Sequence, residues 1–119
     1  MNTKAIIAAA LLWAISVGAE AQIPDMGLSN RMVPYCRAFL ANKNDVGSGV
    51  CAGLVAAGLG YARLLKPPFA FCPPQSVTNG QAIEVVIRYF DKYPEYKNMD
   101  FQTLTLVALQ SAWPCETKK

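Results

Sequence analysis

Residues Phe71–Phe90 read FCPPQSVTNGQAIEVVIRYF, and the change of character at Thr78 decides the fold class. Two prolines follow Cys72 and keep the chain out of a helix. Thr78-Asn79-Gly80-Gln81 then has the spacing of a capping box. The Thr78 hydroxyl can accept from the Gln81 amide, and the Gln81 side chain can reach back. Ile83, Val86, Ile87 and Phe90 follow at i, i+3, i+4 and i+7, which predicts a helix with a core-facing stripe. Glu84 and Arg88 form an i, i+4 pair on the wet side. Pro94 ends this helix. The turn PEYKNM (94–99) leads to Asp100, an expected N-cap. The next helix carries Phe101, Leu104, Ala108 and Ala112 on one face, widened by Leu106, Val107 and Leu109. Pro114 stops it, and Cys115 follows.

Upstream, Leu28 to about Ala41 is helical in pattern, with Met32, Tyr35, Phe39 and Leu40 on a shared face. Pro34 leaves two readings open, because proline suits a first turn and restricts the residue before it. Either the helix runs through Pro34, or a turn near Ser29 precedes a regular helix that begins there. Asn42–Ser48 is polar and reads as a loop. Gly49 to about Leu65 reads as a second helix, closed by Arg63, Lys66 and Pro67-Pro68. The stretch VGSGVCAGLVAAGLGYA (46–62) carries no charge and five glycines. Gly49, Gly53 and Ala57 recur every four positions. Such a row suits a membrane seam or a soluble helix approached closely by a neighbouring backbone. The run is short for a bilayer and lacks an aromatic belt, so a buried soluble helix is expected. No strand alternation of useful length appears.

The first residues set the compartment. Lys4, the apolar run AIIAAALLWAISV and Ala19-Glu20-Ala21 have the order of a secretory signal peptide cleaved after Ala21. Residues 1–21 are therefore expected to be a leader, and 22–119 one small exported helical domain. No membrane attachment is expected after cleavage. The net charge of +3 is a mild excess without a basic stripe, which gives no footing for nucleic-acid binding.

All four cysteines, Cys36, Cys51, Cys72 and Cys115, lie past the leader. An even count in a small exported chain reads as a disulfide framework. There is no C-x-x-C, no close pair of metal ligands and no histidine, which argues against a redox site, a zinc site or a Cys nucleophile with its base. No cofactor or metal is expected. Helix geometry selects the pairing. The last two helices go out and back over similar lengths, roughly 22 and 18 Å, so Cys72 before one and Cys115 after the other should meet. Cys36 and Cys51 flank the first loop, whereas Cys51 and Cys72 lie at opposite ends of the second helix. The expected fold is all-α, a small four- to five-helix bundle stapled by Cys36–Cys51 and Cys72–Cys115.

Taken together, these residues resemble the Rap/Tai family of immunity proteins linked to type VI secretion. The elements that carry the resemblance are Cys72-Pro73-Pro74, Val77-Thr78, Gln81, Val85-Val86, Tyr89-Phe90, Tyr93-Pro94-Glu95 and Ala112-Trp113-Pro114-Cys115. The family's C-x-G-Y-[VI]-x-G-x-x-D is matched at Cys51, Gly53 and Val55. It is replaced at Leu54, Ala57 and Gly60. The resemblance implies a small periplasmic helical protein, often a homodimer, that binds and blocks a toxic cell-wall amidase delivered by a neighbouring cell.

Three functions follow for comparison. A stoichiometric inhibitor of a peptidoglycan-cleaving amidase would act by occlusion, a rigid scaffold presenting a loop to the enzyme's cleft. A small periplasmic chaperone, or another protein-binding module, would favour an exposed apolar surface. An enzyme would need a nucleophile and base; Glu84, Asp91 and Glu95 are the acids on offer for an acid–base pair, and Glu84 and Asp91 read more simply as solvated helix-face charges. The inhibitor reading is preferred and no catalytic residues are assigned. Candidate partner contacts are Tyr93, Glu95, Tyr96, Lys97 and Asp100, a polar turn with two amphipathic aromatics.

Overall fold

The computed structural model describes residues 27–116. The expected signal peptide, residues 1–21, lies outside them. Helix α1 spans Ser29–Leu40, α2 Val46–Tyr61, α3 Asn79–Lys92 and α4 Phe101–Ala112, with a single 3-10 turn at Pro94–Tyr96. The fold is an all-α bundle. Among the described residues strand-like pairing is limited to two isolated bridges, Leu28 with Asp100 and Phe71 with Pro114.

Helix α1 runs through Pro34, which settles the two readings left open. Pro34 lies on the exposed side, so its ring does not compete for core space. No side chain caps the start of α1. Its first amides are satisfied by the chain before α4 instead: Ser29 N–H donates to the Met99 carbonyl and Asn30 N–H to the Lys97 carbonyl, both at 2.9 Å. The end of α1 is a Schellman motif. Asn42 takes the left-handed conformation (φ 58°) that asparagine tolerates. Its N–H bonds the Phe39 carbonyl while the Lys43 N–H bonds that of Ala38.

Helix α2 begins at Val46, three residues before the expected Gly49, so the polar loop is shorter than Asn42–Ser48. Asp45 is the N-cap: its carboxylate accepts from the Ser48 amide at 2.7 Å, and the Asp45 amide donates to Ser48 Oγ at 3.1 Å. This box uses serine at the third position rather than the commoner Glu or Gln. The helix ends at Tyr61 rather than near Leu65, and the chain continues in turns bonded to the Tyr61 carbonyl.

The expected role of Gly49, Gly53 and Ala57 is overturned. All three are exposed, and a Cβ added at Gly49 or Gly53 meets nothing within 4 Å. The close approaches occur at Gly47, where the Tyr35 ring covers the backbone, and at Gly58, which faces Thr105 and Leu109. Cys51 and Val55 are the large buried side chains of α2.

In α3 the capping box forms as read: Gln81 N–H donates to Thr78 Oγ1 at 3.1 Å, and Thr78 N–H to Gln81 Oε1 at 2.9 Å. Ile83, Val86 and Ile87 are buried, while Phe90 is half-buried at the edge. Asp100 caps α4 by accepting from the Thr103 amide and hydroxyl. The α4 face differs slightly from expectation. Phe101, Leu104, Thr105, Ala108 and Leu109 are buried, and Ala112 is exposed. Thr105 satisfies its hydroxyl on the Phe101 carbonyl one turn back. On α1 the buried residues are Met32, Val33 and Cys36, with Tyr35 and Phe39 half-buried and Leu40 exposed.

Cys36–Cys51 ties α1 to α2 in the core, with both cysteines fully buried. Cys72–Cys115 closes the open end of the α3–α4 hairpin beside the Phe71–Pro114 bridge. On the outside, Arg37 of α1 pairs with Asp91 of α3 at 2.6 Å. Asp91, read as a simple solvated charge, therefore joins the two hairpins.

Candidate functional site

The turn between α3 and α4 is pinned from both sides. Inside it, Tyr96 N–H donates to the Tyr93 carbonyl and Met99 N–H to that of Tyr96. Across to α1, the backbone bonds of Ser29 and Asn30 are joined by Ser29 Oγ–H donating to the Met99 carbonyl at 2.7 Å. Asn30 Nδ2 also reaches Asn98 Oδ1 at 3.3 Å. Phe101 N–H returns a bond to the Gly27 carbonyl. A turn so fastened presents its side chains at little ordering cost when a partner arrives.

The five expected contact residues are brought to this one turn but do different things. Tyr93 and Tyr96 are half-buried in a cluster with Tyr89. The Tyr89 and Tyr96 rings are parallel within 5° at 6.2 Å, and Tyr93 lies 4.6 Å from Tyr89. Lys92 Nζ sits 5.2 Å from the Tyr93 ring, a cation–π contact. Burial, then repulsion from Tyr96, Tyr93 and Glu95, raises the Tyr89 phenol above its ordinary value. It therefore stays a neutral hydrogen-bonding group at physiological pH. Glu95 and Lys97 are exposed. The Asp100 carboxylate is occupied as the α4 cap.

The cradle of Ser29 and Asn30 was not anticipated from sequence, because nothing local signals that a loop 70 residues away will cap α1. Lys92 over Tyr93 had a signal, a cation adjacent to an aromatic, that the helix pattern obscured. Among the described residues no group of His, Cys, Asp and Glu side chains is placed to hold a metal ion. None of their helices is long and apolar enough to cross a membrane.

These features define a small, disulfide-stapled helical protein whose distinctive surface is a pinned turn rather than a cluster of reactive groups. The family model of Rap1a immunity proteins matches residues 29–115, and the chain belongs to that family. No curated protein and no solved structure gives a significant match. Membership implies an immunity protein whose binding partner is a secreted effector. The two disulfides fit an oxidising compartment.

Proposed function

We propose that the chain is exported to the periplasm, loses residues 1–21, and there occludes a peptidoglycan-cleaving amidase delivered by a type VI secretion system. The observation that supports this reading is the turn 93–100, held to the start of α1 by backbone and side-chain bonds while Glu95 and Lys97 stand exposed. A rigid projection with charged tips suits insertion at a cleft, where inhibitors bind with little rearrangement. Tyr93 and Tyr96 supply amphipathic surface beside those charges. Asp100 contributes by capping α4. The protein acts by binding alone, with no catalysis and no cofactor, and a homodimer is part of the same proposal, to be measured by sedimentation.

The test mixes purified residues 22–119 with the candidate amidase and follows peptidoglycan cleavage. Inhibition is expected to be complete near equimolar ratio, with no cleavage by the chain itself. Glu95→Lys with Lys97→Glu is expected to weaken binding at least tenfold at nearly unchanged Tm, since exposed substitutions cost within about 0.5 kcal/mol. A chaperone is the second reading, favoured by the exposed Val46, Leu64 and Phe69. Suppression of aggregation of several unrelated unfolded proteins, without inhibition of any amidase, would establish it instead.

A further inference from the structure

The segment at the end of α2, YARLLKPPF (61–69), is braced by its own turns and tied to α4 by one side chain; it packs Ala62 and Leu65 against the core and turns Tyr61, Leu64 and Phe69 outward. Leu64 N–H and Leu65 N–H bond the Tyr61 carbonyl, Phe69 N–H bonds that of Lys66, and the Gln110 side chain donates to the Pro68 carbonyl. Leu64 is 73% exposed, Phe69 68% and Tyr61 47%. Leu64 and Phe69 thus leave most of their apolar surface in water on one short segment. Between Asp45 and Glu84 the sequence has no carboxylate, and its charges are Arg63 and Lys66, both exposed. Beside the segment lies a cleft of about 930 Å³ whose mixed wall includes the apolar Leu59, Ala62, Phe71 and Val77, the polar Gln75, and Arg63 as its one charged side chain.

We propose that this ridge and cleft form a second docking surface, which takes an apolar, carboxylate-bearing segment of the same effector. The proposal rests on the immunity reading above. Three observations select the occupant. A two-fold copy would set Arg63 and Lys66 against their own like, and the stretch from Val46 to Ile83 holds no acid to answer them. A bilayer would gain little electrostatic hold from two cations, and a lipid surface would leave the cleft beside the ridge unfilled. A protein segment can fill the apolar walls and place a carboxylate on the Arg63 guanidinium, a geometry that favours paired hydrogen bonds.

The experiment uses the full chain carrying a photoreactive phenylalanine analogue at Phe69 or, separately, at Glu95, irradiated in the cells that make it. The adducts are identified by mass spectrometry. The recovered hydrolase is then titrated against wild type, Leu64→Ala/Phe69→Ala and Arg63→Glu/Lys66→Glu. The expected result is an adduct from position 69 on a hydrolase segment that carries Asp or Glu. With it should come at least tenfold weaker binding for each double variant at unchanged Tm, and a reduced salt dependence for the charge reversal. An adduct from position 95 alone, with both double variants binding as wild type, overturns this inference and leaves the immunity reading standing. An adduct from position 69 to a second copy or to lipid reassigns the ridge and overturns it as well. Recovery of no hydrolase from either position removes both readings together.

Discussion

Helix α3 buries Ile83, Val86 and Ile87 and helix α4 buries Leu104, Ala108 and Leu109, with a capping box at the start of one and an Asp100 cap at the start of the other. Helices α1 and α2 meet through smaller groups: the Tyr35 ring on Gly47, and Cys36 bonded to Cys51. The first hairpin holds together by burying large side chains on helices that are favourable in themselves. The second has a helix with five glycines, each costing near 1 kcal/mol against alanine. It depends on close approach and a covalent tie. One domain thus uses two means of joining a helix pair, and the places where they can be separated are specific.

The largest effect is expected from the disulfides. Spans of 15 and 43 residues correspond to about 3 and about 4 kcal/mol of chain entropy. Their sum is of the order of a small domain's whole net stability. Thermal melts followed by circular dichroism with and without reductant should therefore show the reduced protein largely unfolded at room temperature. Chain entropy alone would make loss of Cys72–Cys115 the worse of the two. The contrast between hairpins reverses that order, because Cys36 and Cys51 are fully buried and hold the weaker helix. Cys36→Ala/Cys51→Ala is expected to melt lower than Cys72→Ala/Cys115→Ala, with about 4–8 °C per kcal/mol. Hydrogen exchange should show α2 amides unprotected in the first variant and protected in the second.

Next come the glycines, which should differ in sign. A Cβ at Gly47 overlaps the Tyr35 ring, and one at Gly58 comes within 2.9 Å of Thr105 Cγ2. Gly47→Ala is expected to destabilise by about 1–3 kcal/mol through overpacking. Gly53→Ala points into open space and should stabilise by up to about 1 kcal/mol. Equal effects at the two positions in urea titrations would mean that close packing does not hold the α1–α2 pair.

The same contrast governs what could be read in advance. Helix α3 announced itself through Thr78, Gln81 and the stripe from Ile83, and α4 through Asp100, because each signal is local and each winning interaction lies within one turn of it. The disulfide pairing followed from helix lengths for Cys72–Cys115 and from the flanking of one loop for Cys36–Cys51. In α2 nearly every residue is small or apolar, so periodicity could not tell the buried face from the exposed one. The row of Gly49, Gly53 and Ala57 looked like a seam and proved to be the outside. Its start was missed because Asp45 and Ser48 form a box with an uncommon third residue. At the turn 93–100, the aromatics and charges were visible in sequence. The bonds from Ser29 and Asn30 that make it rigid are tertiary and leave no local trace.

A smaller effect is expected where the hairpins touch on the surface. Arg37 and Asp91 are about half exposed, so Asp91→Asn should cost about 0.2–1 kcal/mol, and less at high salt. A larger loss would mean that the hairpins depend on this pair as well as on their shared core.

The smallest effect concerns Tyr89, which lies in the α3–α4 half and bears on the turn. Its phenol is raised first by burial and then by Tyr96, Tyr93 and Glu95. The folded protein therefore holds this proton more tightly than the unfolded chain. Where the unfolded chain has released it and the folded one has not, the unfolded state binds fewer protons, and stability falls as pH rises. The contribution is complete below the ordinary phenol value near 10 and is lost above it. Tyr89→Phe keeps the ring stack and removes the titration. In urea titrations at pH 8 and pH 10.5, the wild type should lose more stability between the two than Tyr89→Phe does. Because the ring is half-buried, solvent screening keeps this difference below that expected for the ion pair. The protection factors of amides 96–99, with the base-catalysed rise of intrinsic exchange divided out, should also fall with pH in the wild type and stay unchanged in the variant. A wild type that weakens at high pH without any change at the turn would place the sensitivity elsewhere and detach the tyrosine cluster from the rigidity of the site.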